Sequence, residues 1–174
     1  MPDSTFWIAA LTGGTAVLAS WVTSRGNTRA AQIQADTAAR AQQTERLRDS
    51  RRTAYLELIE QIHRMGDFYW EISAAQRAGD FQRRPALLDE TLERERDHYG
   101  KLRHCARVVE LEGPAAAGEA AHKLQKSTSR FHRSLEAMAA ADPEGIRRFN
   151  DAYSPFWAAL GDFVDTAKAS LQGP

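Results

Sequence analysis

Residues 55–72, YLELIEQIHRMGDFYWEI, carry Tyr55, Leu58, Ile59, Ile62, Met65, Gly66, Tyr69 and Ile72 at recurring intervals of three and four. That spacing follows the 3.6-residue turn, so the stretch reads as a helix with one buried face. Toward the C-terminus the same period returns three times. Leu88, Leu92, Glu95, Tyr99, Leu102, Ala106 and Val109 mark a second helix that stops at Gly113 and Pro114. Ala117, Ala121, Leu124, Thr128, Phe131, Leu135 and Met138 alternate four and three without a break, which places all seven on the seam of a third. Ile146, Phe149, Tyr153, Phe156, Leu160, Phe163 and Ala167 mark a fourth.

The punctuation agrees with this division. Gly79, Asp80 and the run Arg83, Arg84, Pro85 read as a turn with Pro opening the next helix. Asp142 is a good N-cap, Pro143 a good first helical residue, and Glu144 suits the positive end of the helix dipole. Pro155 lies inside the fourth helix and removes a backbone hydrogen bond, so a kink or break is expected near Asp151. Short turns between four such helices imply an antiparallel up-and-down bundle over residues 53–174.

Ahead of the bundle the chain changes character twice. Residues 6–22, FWIAALTGGTAVLASWV, contain no charge, and as a helix they would span about 25 Å, a little short of a bilayer core but extendable through Thr5, Thr23 and Ser24. Trp7 and Trp21 bracket the segment as rings at two headgroup layers would. A cleaved signal peptide and a soluble core helix are the rivals. Signal peptides open on basic residues, whereas here Asp3 precedes the apolar run and Arg25 and Arg29 follow it. The reading is therefore a transmembrane anchor over residues 1–24, N-terminus outside and body cytoplasmic by the positive-inside rule. Ala9, Gly13, Ala16 and Ser20 would line one face of that helix and could let two copies approach closely. Residues 25–52 lack Pro and are rich in Ala, Gln and Arg, with Ile33 and Leu47 the large apolar residues, so a solvent-exposed helical stalk is expected. The fold class is thus all-α: a transmembrane helix, a helical stalk and an antiparallel four-helix bundle.

Composition narrows the function. The 174 residues suffice for one compact domain and a tail. Lys plus Arg and Asp plus Glu are 23 each, so no net field exists to hold a polyanion, and nucleic acid is not an expected partner. No glycine-rich phosphate loop is present, so no nucleotide cofactor is expected. Cys105 is the sole cysteine and reads as a small buried hydrophobe between Leu102 and Val109. Three histidines sit three after a glutamate: Glu60 with His63, Glu95 with His98, and Glu119 with His122. Ferritin-like di-iron bundles use two such pairs plus a glutamate from each of two other helices. Here only Glu95 with His98 points inward, and Asp151, Asp162 and Asp165 of the fourth helix lie off its seam, so no metal site, catalytic residue or cofactor is expected. In the triplet Phe68, Tyr69, Trp70 at least one ring must leave the core face: Tyr69 reads as core with Phe68 or Trp70 packing on a neighbouring helix, and the alternative makes Phe68 and Trp70 candidates for contact with a partner.

The apolar segment, the continuation TSRGNTRAAQIQADTAARAQQTERLRDSRRTAYLELI and the junction Arg51, Arg52, Tyr55 together resemble a group of small uncharacterised actinobacterial proteins. The resemblance implies a membrane helix, an Ala- and Gln-rich stalk and an apolar helix beyond, and no activity. The functional expectation is a single-pass membrane-anchored scaffold or protein-interaction module without catalysis, with a protein partner and self-association through the small-residue face. A ferritin-like metal-binding enzyme and a small membrane-acting effector or pore former are the alternatives.

Overall fold

The computed structural model describes the backbone of residues 3–84 and 86–172 and the side chains of residues 32–84 and 86–172. Trp7, Trp21, Arg25 and Arg29, and the small residues Ala9, Gly13, Ala16 and Ser20, carry side chains outside that range, as does Pro85. Every described element is a helix: α1 (Asp3–Arg77), α2 (Asp80–Arg83), α3 (Ala86–Glu112), α4 (Ala115–Ser127), α5 (Ser129–Ala139), α6 (Gly145–Asp151) and α7 (Tyr153–Gln172). Among the described residues no helix is long and apolar enough to cross a membrane.

The chain divides into two compact units, Met1–Arg46 and Leu47–Pro174. In the first, every side chain from Gln32 to Arg46 is exposed, Ile33 included, and nothing there forms an apolar stripe. The hydroxyls of Thr37 and Thr44 turn back onto the carbonyls of Ile33 and Arg40, so even these side chains are satisfied within their own helix.

The second unit is an antiparallel helical bundle, and its cross-helix contacts fix the directions. Arg51 reaches the Glu112 carbonyl, Gln61 the His98 carbonyl and Arg94 the Glu71 carboxylate, so α3 runs back along α1 between Arg51 and Glu71. Gln125 bonds Tyr99 and His132 meets Glu95, which reverses the direction again through α4 and α5. Ser73 bonds Tyr153 while Tyr55 meets Phe163 and Ser170, which returns α7 antiparallel to α1. Ser50 and Arg51 both bond Glu112, tying the start of the unit to the far end of α3.

The seams read from spacing are the buried ones. Tyr55, Leu58, Ile62, Met65, Tyr69 and Ile72 of α1, Leu102, Ala106 and Val109 of α3, Ala117, Ala121, Leu124, Phe131 and Leu135 of α4 and α5, and Phe156 and Phe163 of α7 are all buried. One half of the core is aromatic. Tyr69 stacks on Phe131 with centroids 3.8 Å apart, and Phe149, Tyr153 and Phe156 meet Phe131 edge-on at 5.0–5.6 Å. Edge-to-face pairs of this kind add about 0.5–1.5 kcal/mol each beyond the area they bury.

Two helices differ from the expectation. The third is broken at Thr128 into α4 and α5, although its seam runs on through the break. The hydroxyls of Ser127, Thr128 and Ser129 bond the carbonyls of Leu124, Gln125 and Lys126, three residues back in each case. Three consecutive side chains competing for backbone acceptors bend a helix that apolar spacing alone reads as continuous. The fourth begins at Gly145 rather than at Pro143, and Asp142 caps the preceding turn by accepting the Glu144 N–H at 2.9 Å. Its break falls where Pro155 demands one, between α6 and α7 at Ala152.

Between α5 and α6 the chain turns through a Schellman motif. The Asp142 N–H bonds the Ala137 carbonyl and the Ala141 N–H bonds that of Met138. This puts Ala141 at φ 57°, where glycine is the usual residue. The turn also presses Gly145 against α5: a Cβ there would lie 2.9 Å from both the backbone nitrogen and Cγ of Met138.

Candidate functional site: a buried glutamate and its histidine

Glu95 sits on the apolar seam of α3 and is 2% exposed, a carboxyl group placed by helical spacing among core side chains. Its partner is on another helix. Nδ1 of His132, on α5, lies 2.8 Å from Oε2 of Glu95, and Nε2 of the same ring lies 3.4 Å from Oε1 of Glu136. His132 is one-third exposed and Glu136 more than half, so the three groups form a line from interior to surface. The break at Thr128 precedes His132 by one turn, and the start of α5 there sets the angle at which the ring enters.

The inner end of this line is incompletely satisfied. Oε1 of Glu95 and the hydroxyl of Tyr69 are both buried without a hydrogen-bond partner. Burial pushes the Glu95 carboxyl above its ordinary range, and His132 works in the opposite direction. Tyr69 is pushed well up by burial first and by the neighbouring Glu95 charge second, so it stays a neutral phenol. Chemically the arrangement holds one imidazole in a fixed orientation against a buried carboxyl, with its second nitrogen turned toward solvent.

His98, three residues after Glu95, does not join it. Its ring stacks on Phe68 at 5.0 Å, its Nδ1 is buried without a partner, and burial, with the Lys101 and Arg94 charges behind it, lowers its pKa. The guanidinium of Arg94 lies 4.8 Å from the centre of the Phe68 ring. Phe68, expected to be available to a partner, is therefore a core residue at 3% exposure; α3 covers it, and it has no surface to offer. Trp70 is 64% exposed and is the ring of the triplet that reaches solvent. Trp157 of α7 joins it on the surface, its ring within van der Waals reach of Gly66 and 6.0 Å from that of His63. Gly66 is what lets that ring lie down, since a Cβ there would be 2.9 Å from it.

The remaining Glu and His pairs scatter. Glu60 and Arg64 pair at 2.6 Å on the surface, His63 bonds the Ile59 carbonyl, and Glu119 and His122 are exposed on α4. Among the described residues no group of three or more His, Cys, Asp or Glu side chains could hold a metal ion. Cys105 is half-buried, and burial together with the Glu57 charge raises its pKa, which keeps it a thiol.

Spacing alone revealed Glu95 as a buried acid, but it paired that acid with His98 and passed over His132. The available signal was that His132 follows the seam residue Phe131 and that Glu136 follows it by one helical turn. Compared with family models, curated proteins and solved structures, the chain matches none.

Proposed function

We propose that this protein is a single-pass membrane-anchored interaction module that displays a helical bundle for a protein partner and carries out no catalysis of its own. The reading is supported chiefly by the contrast between the wholly exposed side chains from Gln32 to Ser50 and the well-filled bundle whose buried residues begin at Ala54. A helix polar on every side has no core of its own to build and serves to connect. The anchor would be residues 6–22 with Trp7, Trp21, Arg25 and Arg29 at its boundaries, and the small residues Ala9, Gly13, Ala16 and Ser20 would give it a face for self-association. On the bundle, Trp70 and Trp157 offer large exposed rings of the kind that dominate binding energy at protein interfaces.

Carbonate-washed membrane fractionation of the full chain, with tags at both ends exposed to protease, tests the reading. Retention in the membrane with the C-terminal tag protected inside the cell supports it. Release into the soluble fraction overturns both the anchor and the function built on it. Crosslinking in membranes that yields only monomer removes the self-association.

A further inference from the structure

The open groove between α5 and α6 is lined by Arg130, Arg133, Ser134, Arg148, Asp151 and Ala152 and has a volume of about 320 Å³. Three of its six side chains are guanidinium groups, in a protein whose net charge is zero. Their local partners leave most of the donors open. Nε of Arg133 bonds the Ser129 carbonyl, Nη1 of Arg148 meets Asp142 at 3.2 Å, and no carboxylate pairs with Arg130 or Arg133 among the described residues. Asp151 is the one acid in the groove, and it lies 3.7 Å from Arg147, outside the lining.

Such a grouping is unfavourable when empty. Arg130 and Arg133 are one helical turn apart, where like charges repel, and Arg148 adds a third from the facing helix. A concave wall also concentrates the field that three cations make. The floor is neutral and fixed, because Ser134 is buried with its hydroxyl on the Arg130 carbonyl and Ala152 is buried beside it. Planar guanidinium forks match a tetrahedral oxyanion with several terminal oxygens, and a doubly charged one best offsets the excess.

We propose that this groove binds a phosphate monoester group or free phosphate, with Arg130, Arg133 and Arg148 as its ligands. The three arginines line the groove from two helices joined by the short Ala140–Glu144 turn, so the site is set by the bundle itself and does not depend on the membrane anchor.

Full-length protein in neutral detergent is titrated calorimetrically with inorganic phosphate and, separately, with short-chain phosphatidic acid, a lipid whose headgroup is a phosphate monoester. Saturable binding of either is expected, weakened as salt is raised, and lost by about tenfold or more in R130Q/R133Q/R148Q. R130K/R133K/R148K retains part of it, since lysine keeps the charge and loses the fork. R64Q, on α1, leaves it unchanged. Helical circular dichroism and melting of each variant confirm the fold. Binding of phosphate itself identifies a free phosphate ligand, and binding of phosphatidic acid alone identifies a headgroup; both support the site. No binding of either probe, or binding indifferent to the triple substitution in a folded variant, overturns it.

Discussion

Replacing His132 by alanine strands Glu95 in the core, and the structure sets a ceiling on the damage. Oε2 loses the imidazole at 2.8 Å, and Oε1 already lacks a partner. A buried charge left alone costs several kcal/mol, but a carboxyl can escape by taking up a proton. From its ordinary value of 4.5, protonation at pH 7 costs about 1.36 kcal/mol for each of 2.5 pH units, or about 3.4 kcal/mol. At pH 5 the same escape costs about 0.7 kcal/mol. His132→Ala should therefore destabilise the bundle by no more than about 3.4 kcal/mol at pH 7 and by less than about 1 kcal/mol at pH 5. Adding Glu95→Leu removes the stranded group, and the double variant should be the more stable of the two at pH 7. Urea unfolding of the full chain, followed by helical circular dichroism at both pH values, measures all three free energies. Equal losses at pH 5 and pH 7, or a double variant less stable than His132→Ala, would refute the reasoning.

Three further outcomes follow from local geometry. Ala141→Gly should stabilise the bundle by about 1 kcal/mol, because the left-handed conformation at φ 57° costs a Cβ-bearing residue that much; an unchanged or lower melting temperature would count against it. Gly145→Ala should destabilise by about 1–3 kcal/mol, since its new Cβ meets the Met138 backbone, which has little room to retreat; melting within experimental error of the parent would show the turn to be looser than it looks. His98 has a lowered pKa, so its contribution to stability is fully present above 6.5 and is lost as pH falls through the folded value. His98→Asn should flatten that acid-side decline, as read from unfolding free energies over a pH series, and an identical slope would remove His98 as its source.

How far the molecule was legible in its sequence varies by element. The four seams required only that apolar residues recur with the helical turn, and Tyr55 to Ile72 or Phe156 to Ala167 satisfy that within their own segments. The break at Pro155 was legible because proline lacks the donor a helix needs. The break at Thr128 was not read, although Ser127-Thr128-Ser129 carries it, because apolar spacing continues across the bend. Glu95 was legible as a buried acid, but which of Phe68 and Trp70 packs on a neighbouring helix was not, since the side of α1 that α3 covers is decided by how the helices pack.

By itself, then, the sequence determined what each segment would do alone: which stretches are helical, which face of each is apolar, where proline and glycine stop them, and that residues 25–52 have no stripe to bury. Helical periodicity and backbone chemistry are local, acting over one or two turns. The tertiary structure decided which distant groups meet. It set His132 rather than His98 against Glu95, left Tyr69 without a partner, buried Phe68 while exposing Trp70, and gathered three arginines from two helices into one groove. Those pairings depend on the rotation and bend of one packed helix against another, which no spacing within a single helix encodes.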